Sequence, residues 1–274
     1  VTDERLRRCD TYLDAVPALA ADVVDVGPLR VFVSRAPYPY YVRPRPGADL
    51  AEAGSVTTAH VREAAAVLRE AGDPVSFEWV DELAPALGNV LRAEGYDVHR
   101  HPLLVRDLDA TLPETRTVSG LTARLLTADA TDLRDALAVQ GVGFSVPGTA
   151  RGEADVRERD ADVVEDSLLD YVRERIRSGL ASVAVADDPD AGIVACGWHQ
   201  PVGAETEVVG VATLPAYRRR GAAAAMLDVL VSDAAARGVT MALLSAGDDA
   251  VARIYEHAGF TRIAHTGAAE PRTD

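Results

Sequence analysis

The chain has 274 residues, 48% apolar and 26% charged, with a formal net charge of -15 at pH 7. That length holds one large domain or two of ordinary size, long enough to bury real cores. The negative charge opposes binding driven by phosphate neutralisation, and no run of about 18 apolar residues is present, so neither nucleic acid nor membrane is an expected partner. The opening Val1-Thr-Asp-Glu-Arg5 is polar, without the look of a signal peptide. Two cysteines, Cys9 and Cys196, suggest neither a disulfide framework nor a metal site, so a cytoplasmic protein without a metal is expected. All 28 basic residues are arginine.

In chain order, residues 2–16 place Leu6, Cys9, Leu13 and Val16 at helical spacing. Val23–Ser34 reads as strand, turn and strand around Gly27-Pro28, and Tyr38–Val42 as a short aromatic strand. Thr57–Ala71 is a helix stopped by Gly72, with Val61, Ala64, Ala65 and Leu68 on one face. Strand 75–80, helix 83–94 closed by Gly95, and strand 98–105 follow. Residues 106–120, with Pro113 and several threonines, look like a linker.

A second unit then begins with a strand over 121–126 and a helix toward Val139. Residues 141–160 are rich in Gly, Pro and charge and read as irregular. Helix 162–177 and strands 180–186, 192–200 and 205–214 follow. A helix runs to Ala236, ended by Arg237-Gly238, then come strand 239–245, a short helix capped by Asp248 or Asp249, strand 261–265 and a polar tail.

Chemistry concentrates where strand 205–214 meets that long helix. Pro215 stops the strand, and Arg218-Arg219-Arg220-Gly221-Ala222-Ala223 opens the helix with small side chains and charge. A helix N-terminus carries unpaired N–H groups and binds anions, phosphates above all. The spacing Arg-x-x-Gly-x-Ala is neither a P-loop nor a dinucleotide fingerprint. It resembles the pyrophosphate loop of the GNAT acetyltransferases. Leu214-Pro215, the order of elements from about residue 118 to 268, and Ile254-Tyr-Glu-His-Ala-Gly-Phe260 resemble the same family.

The first half echoes the second at a constant offset of 164: Val90-Leu-Arg-Ala-Glu-Gly-Tyr96 answers Ile254–Phe260, and His101 answers His265. Leu91 stands where Tyr255 stands, and residues 52–57 lack the arginines and the glycine spacing. The resemblance therefore implies an α/β mixed-sheet GNAT acyl-CoA acyltransferase fold as two GNAT-like lobes in tandem. On this resemblance residues 1–115 would form a degenerate lobe and 118–274 the catalytic domain.

The resemblance further implies a CoA-dependent N-acyltransferase. Acetyl-CoA would be the co-substrate, and a primary amine on a small or cationic molecule the acceptor, with direct transfer in a ternary complex. The protein would be a monomer or homodimer. The backbone of Val211, Ala212 and Thr213 would pair with the pantetheine arm beside a bulge at Gly210. The loop Arg218, Arg219, Arg220, Gly221, Ala222 and Ala223 would hold the pyrophosphate. Tyr255 takes the position of the family's general acid. Glu207, eleven residues before Arg218, matches a glutamate base found in some members, and Glu205 shares its face. Asp248 stands where many members have a cofactor-binding asparagine, and an ionised aspartate cannot donate that hydrogen bond. Trp198 and His199 are either acceptor-lining residues or an ordinary core-plus-surface pair. A non-catalytic module that senses acyl-CoA through the first lobe is the competing class.

Overall fold

In a computed structural model, residues 4–48, 50, 52, 54–108 and 120–272 are described. They form two compact units. The first comprises Val1–Leu104, Ser245–Asp248 and Arg262–Asp274; the second comprises Val105–Leu244 and Asp249–Thr261. These units do not coincide with the contiguous segments 1–115 and 118–274. Most of the expected linker, residues 109–119, lies outside the described residues, and Arg106 and Asp107 belong to a strand.

The first unit begins with α1 (Glu4–Ala18), the hairpin β1 (Ala21–Val26) and β2 (Leu29–Ser34), and β3 (Val42–Pro44). Then come α2 (Thr58–Ala71), β4 (Phe77–Val80), α3 (Leu87–Ala93) and β5 (Tyr96–Asp107). The aromatic run expected as a strand at 38–42 is mostly irregular; Tyr38 and Tyr40 meet edge to face instead, and pairing with β2 starts late, so β3 covers 42–44. Val61, Ala64, Ala65 and Leu68 of α2 are buried, and Gly72 closes the helix in the left-handed conformation at φ 82°. They pack with Leu29, Phe77, Trp79, Leu87 and Leu91 in one core.

The second unit contains β6 (Thr122–Leu126), α4 (Leu133–Ser145), α5 (Val156–Ala161), α6 (Asp166–Arg177), β7 (Ser182–Asp188), β8 (Gly192–Val202) and β9 (Glu205–Thr213). A 3-10 turn over Pro215–Tyr217 leads to α7 (Ala222–Ala236), β10 (Met241–Ser245) and α8 (Asp249–His257). β6 to β9 run antiparallel in sequence order, and β9 pairs parallel with β10. The core lies between α4, α6 and the sheet, with Leu133, Val139, Val172, Val185 and Val194 inside. The segment expected to be irregular at 141–160 instead continues α4 to Ser145 and adds α5. Gly141 and Gly143 are in helix because neighbours need the space: a Cβ on Gly143 would lie 2.8 Å from the Cβ of Ala212 in β9.

The last strand, β11 (Thr261–Pro271), is six residues longer than the expected 261–265, and from Arg262 on it belongs to the first unit. There it runs antiparallel to β4, from Thr266 opposite Val80 to Ala269 opposite Phe77. Gly267 stands opposite Trp79, whose ring fills the place of a side chain: a Cβ there would lie 2.1 Å from the indole. The first unit's strand order is therefore β1-β2-β3-β4-β11-β5.

The two halves repeat one element order: antiparallel strands, a helix, a parallel strand, a helix and a strand. α2 and α7 start at Thr58 and Ala222, and β4 and β10 at Phe77 and Met241, so the offset of 164 holds in the structure. Gly95 and Gly259 both adopt positive φ, at 83° and 87°. β3 pairs parallel with β4 as β9 does with β10. Among the described residues, no helix is long and apolar enough to cross a membrane.

Candidate functional site

β9 is paired with β8 along its length but with β10 only from Glu205 to Glu207. From Val208 to Thr213, no strand among the described residues of this unit pairs with the β10-facing edge. An open edge presents N–H and C=O groups to whatever extended chain lies beside it. Within that stretch the β8 pairing slips. Trp198 faces Val209 and Cys196 faces Ala212, so Gly197 stands opposite both Gly210 and Val211. This is a β-bulge, and Gly210 occupies it at φ 64°.

The extra residue reverses which side chains share a face. Before it, Thr206 lies on the α7 side, bonded through His199 to Asp233 of α7. Glu205 and Glu207 therefore lie on the other side, with Gln200, whose carbonyl oxygen accepts from Arg175 of α6 at 2.9 Å. After the bulge, Ala212 meets α4, while Val211 lies beside Gly197 and Met226 of α7. The structure thus places the two half-buried carboxylates on the α4–α6 face, and Val211 and Thr213 on the α7 face.

The three consecutive arginines have three different fates. Arg218 is buried, and its guanidinium donates to the carbonyls of Thr213 (3.3 Å), Ala150 (3.3 Å), Gly143 (2.9 Å) and Val146 (2.6 Å). Its side chain fastens the end of α4 and the following loop to the end of β9. The guanidinium is therefore committed to internal contacts. Loss of hydration lowers its pKa, and no carboxylate among the described residues pairs with it, so it leaves a positive charge beneath the loop. Arg220 pairs with Asp188 at 2.7 Å and lies 5.3 Å over the ring of Tyr217. Burial opposes the Asp188 charge, yet Arg220 and the amides of Asp190 and Ala191 hold its pKa below the usual range. Arg219 is exposed, and it is the one non-glycine residue with positive φ among the described residues, at 62°. That conformation costs about 1 kcal/mol or more and is concentrated at functional turns.

Gly221 follows at φ 85° as the N-cap of α7, and no side chain caps that end. Ala222 and Ala223 are the first residues of the helix, so its leading residues carry no side chain larger than a methyl group. The other expected catalytic side chain lies on α8. Tyr255 is buried there, its ring edge-on to Phe260 at 6.1 Å. Burial alone pushes the Tyr255 hydroxyl well above the usual phenol range. Arg106 holds the end of this helix, donating to the carbonyl of Ala258 at 2.6 Å.

A family model described as "Acetyltransferase (GNAT) domain" matches residues 179–262, which include β9, the arginine loop and Tyr255. The chain carries a GNAT domain. Its fold over the whole length is that of GNAT proteins. A GCN5-related N-acetyltransferase from Kribbella flavida aligns at 22% identity and TM-score 0.65, covering 98% of this chain and 96% of that one. One from Sphaerobacter thermophilus aligns at 17% identity and TM-score 0.57, covering 92% and 84%. A tandem GNAT protein from the clavulanic acid biosynthesis pathway aligns at 14% identity and TM-score 0.52, covering 90% and 79%. No curated protein matches by sequence.

The repeat shows what distinguishes the GNAT domain from the first lobe. Thr57 is the N-cap of α2 at the position answering Gly221. Its side chain accepts from the His60 amide, and the His60 ring bonds back to the Thr57 amide. The first lobe's helix end is closed by its own side chains; that of the GNAT domain is open. Arg43, answering Glu207, is buried and ion-paired with Asp10.

The Trp198-His199 pair splits across the sheet. His199 is fully buried, its ring nitrogens bonded to Thr206 (2.9 Å) and Asp233 (2.8 Å), and Asp233 also accepts from Ser182 and Arg237. This network ties β7, β8, β9 and α7 together and places His199 away from the Glu207 face. Trp198 is half-buried on the Glu207 face, with its indole against Gly210. Burial pushes the Cys196 thiol up to about 12, although an Ala212 backbone hydrogen bond opposes the shift. Asp248 is exposed just before α8 and belongs to the first unit. Sequence reasoning missed Gly143 and Asp188, which hold the loop through Arg218 and Arg220. Their signal was weak: a glycine in a Gly-rich stretch and one of three aspartates in a turn.

Proposed function

We propose that the GNAT domain transfers an acyl group from acyl-CoA, most simply acetyl from acetyl-CoA, to a primary amine of a small or cationic acceptor. One strand–loop–helix carries this reading: the open edge of β9 from Val208 to Thr213 runs into the uncapped start of α7 behind Arg219 and Gly221. An open strand edge suits the amide-bearing pantetheine arm. A helix N-terminus suits the pyrophosphate.

Acyl-CoA brings the activated acyl carbon. Val211, Ala212 and Thr213 would pair with the arm through their main chain. The amides of Arg219 to Ala223 would hold the phosphates, at about 1.5–3 kcal/mol for each charge-assisted bond. Arg218 adds to the positive field without touching the ligand. Glu207, with Glu205 beside it, takes the proton that the acceptor ammonium must lose before its lone pair forms the C–N bond. Tyr255 gives a proton to the sulfur as the C–S electrons leave on it; with its pKa raised, the hydroxyl carries that proton at neutral pH. Cys196 stays protonated and buried, which suits direct transfer without an acyl-cysteine.

The test is calorimetric titration with acetyl-CoA, followed by thiol release with a panel of amines. The expected result is saturable binding and release with at least one cationic amine. Binding without release on any acceptor would favour an acyl-CoA sensor, and no binding at all would remove the reading.

A further inference from the structure

The indole of Trp198 is the one polar group at the β9 bulge with no role so far. It stands on β8 opposite Val209, on the face that carries Glu207. Its pyrrole edge fills the place where Gly210 lacks a side chain: a Cβ on Gly210 would lie 1.7 Å from the indole nitrogen and 2.5 Å from Cδ1. Gly210 is thus required twice, for its φ of 64° and for the room it gives this ring. The other tryptophan, Trp79, donates its N–H to Asp81 at 3.0 Å. No acceptor among the described residues takes the N–H of Trp198. Its nitrogen is not one of the fully buried atoms of the described residues that lack a partner, so water or a ligand can reach it where no protein acceptor does. Half-buried and packed against the core of the GNAT domain, this ring has little freedom to seek one elsewhere.

Resting on the reading of β9 as the strand that holds acyl-CoA, we propose that the indole N–H of Trp198 donates to the acyl carbonyl oxygen and stabilises the charge that grows there during attack. The arm paired with residues 211–213 would end with its thioester beside Gly210, next to this donor. As the amine lone pair forms the C–N bond, the carbonyl π electrons move onto oxygen; they return as the C–S bond breaks. Trp198 gives up no proton, and its bond strengthens only while the oxygen is charged. A fixed donor of this kind acts on kcat rather than on cofactor affinity.

The decisive variant replaces Trp198 with benzothienylalanine, which keeps the bicyclic shape and exchanges N–H for sulfur; Trp198→Phe accompanies it. In the whole chain, the proposal expects kcat to fall about 100-fold in the isostere, with acetyl-CoA affinity and melting temperature unchanged. A second readout needs no acceptor: the infrared carbonyl band of bound 13C-acetyl-CoA. In the wild type it lies below its position in water-free solvent, and in the isostere it moves back up. An isostere with the wild-type band and wild-type kcat overturns the role of Trp198 while leaving the acyltransferase reading intact. If acetyl-CoA does not bind the wild type, both fall together.

Discussion

Arg218→Ala separates two accounts of the arginine loop. If the guanidinium were a cofactor ligand, its loss would weaken acetyl-CoA and leave the fold alone. The structure predicts the reverse emphasis. Four carbonyls converge on this side chain, two of them at 2.6 and 2.9 Å and two at 3.3 Å. Counting the short pair at about 1.5–2 kcal/mol each and the long pair as little, the substitution costs about 3–4 kcal/mol. The truncated site also leaves buried carbonyls unpaired, while relief from burying a cation offsets part of that. Arg218→Lys recovers less than half, because one ammonium cannot reach carbonyls on α4, the following loop and β9 at once. Urea unfolding followed by circular dichroism gives the stability, and calorimetry gives the affinity for acetyl-CoA. Arg219→Ala is the control: stability stays within about 0.5 kcal/mol, while affinity drops by an amount that shrinks with added salt. A stability loss under about 1 kcal/mol for Arg218→Ala, together with a large loss of affinity, would refute the structural role.

Gly221→Ala forces an ordinary residue to φ 85° at the mouth of α7 and should cost about 1–2 kcal/mol, with weaker acetyl-CoA binding in the same calorimetric assay. Tyr255→Phe should lower kcat for thiol release about 100-fold or more while acetyl-CoA affinity holds; unchanged turnover means another group supplies the proton. Burial opposes the charge of Asp233, but bonds from His199, Ser182 and Arg237 outweigh it and depress its pKa. Its stabilising contribution is therefore present above the unfolded carboxyl pKa of about 3.9 and lost as pH falls toward the folded value. Asp233→Asn should be clearly less stable than the wild type at pH 7, and the difference should close below about pH 4, as read by urea midpoints across pH. Thr57→Ala removes the cap of α2 and should cost about 1 kcal/mol without altering acetyl-CoA affinity.

Much of this was legible because it is local. The strand, the stop at Pro215, the Arg-x-x-Gly-x-Ala turn and the helix to Ala236 follow from neighbours in sequence. Thr57 against Gly221 and Leu91 against Tyr255 mark, by residue type alone, the half that carries the proposed site. The destinations of Arg218, Arg219 and Arg220 were not legible, since three identical side chains are sorted by distant groups, among them a carboxylate 32 residues away and a carbonyl 75 residues away. Gly141 and Gly143 read as helix breakers, yet tight contacts with Asp162 and Ala212 give them a place inside α4. The run Gly267-Ala268-Ala269 has no β-branched residue and looked like a tail. It is a strand because Trp79 needs a partner without a side chain. Tertiary fit overrode local propensity at each of these places.

The assignment of β11 to the first unit has a consequence for how the protein is made. Residues 266–269 are synthesised long after β4, which waits for them from the moment it is made. Domains usually fold as they emerge, first half first; here the first lobe is completed after the second. Until β11 has been synthesised, the edge of β4 is open to wrong partners, including β4 of a neighbouring nascent chain. A truncation after Phe260 spares every residue of the proposed acyltransferase site, and yet it takes a strand from the other lobe.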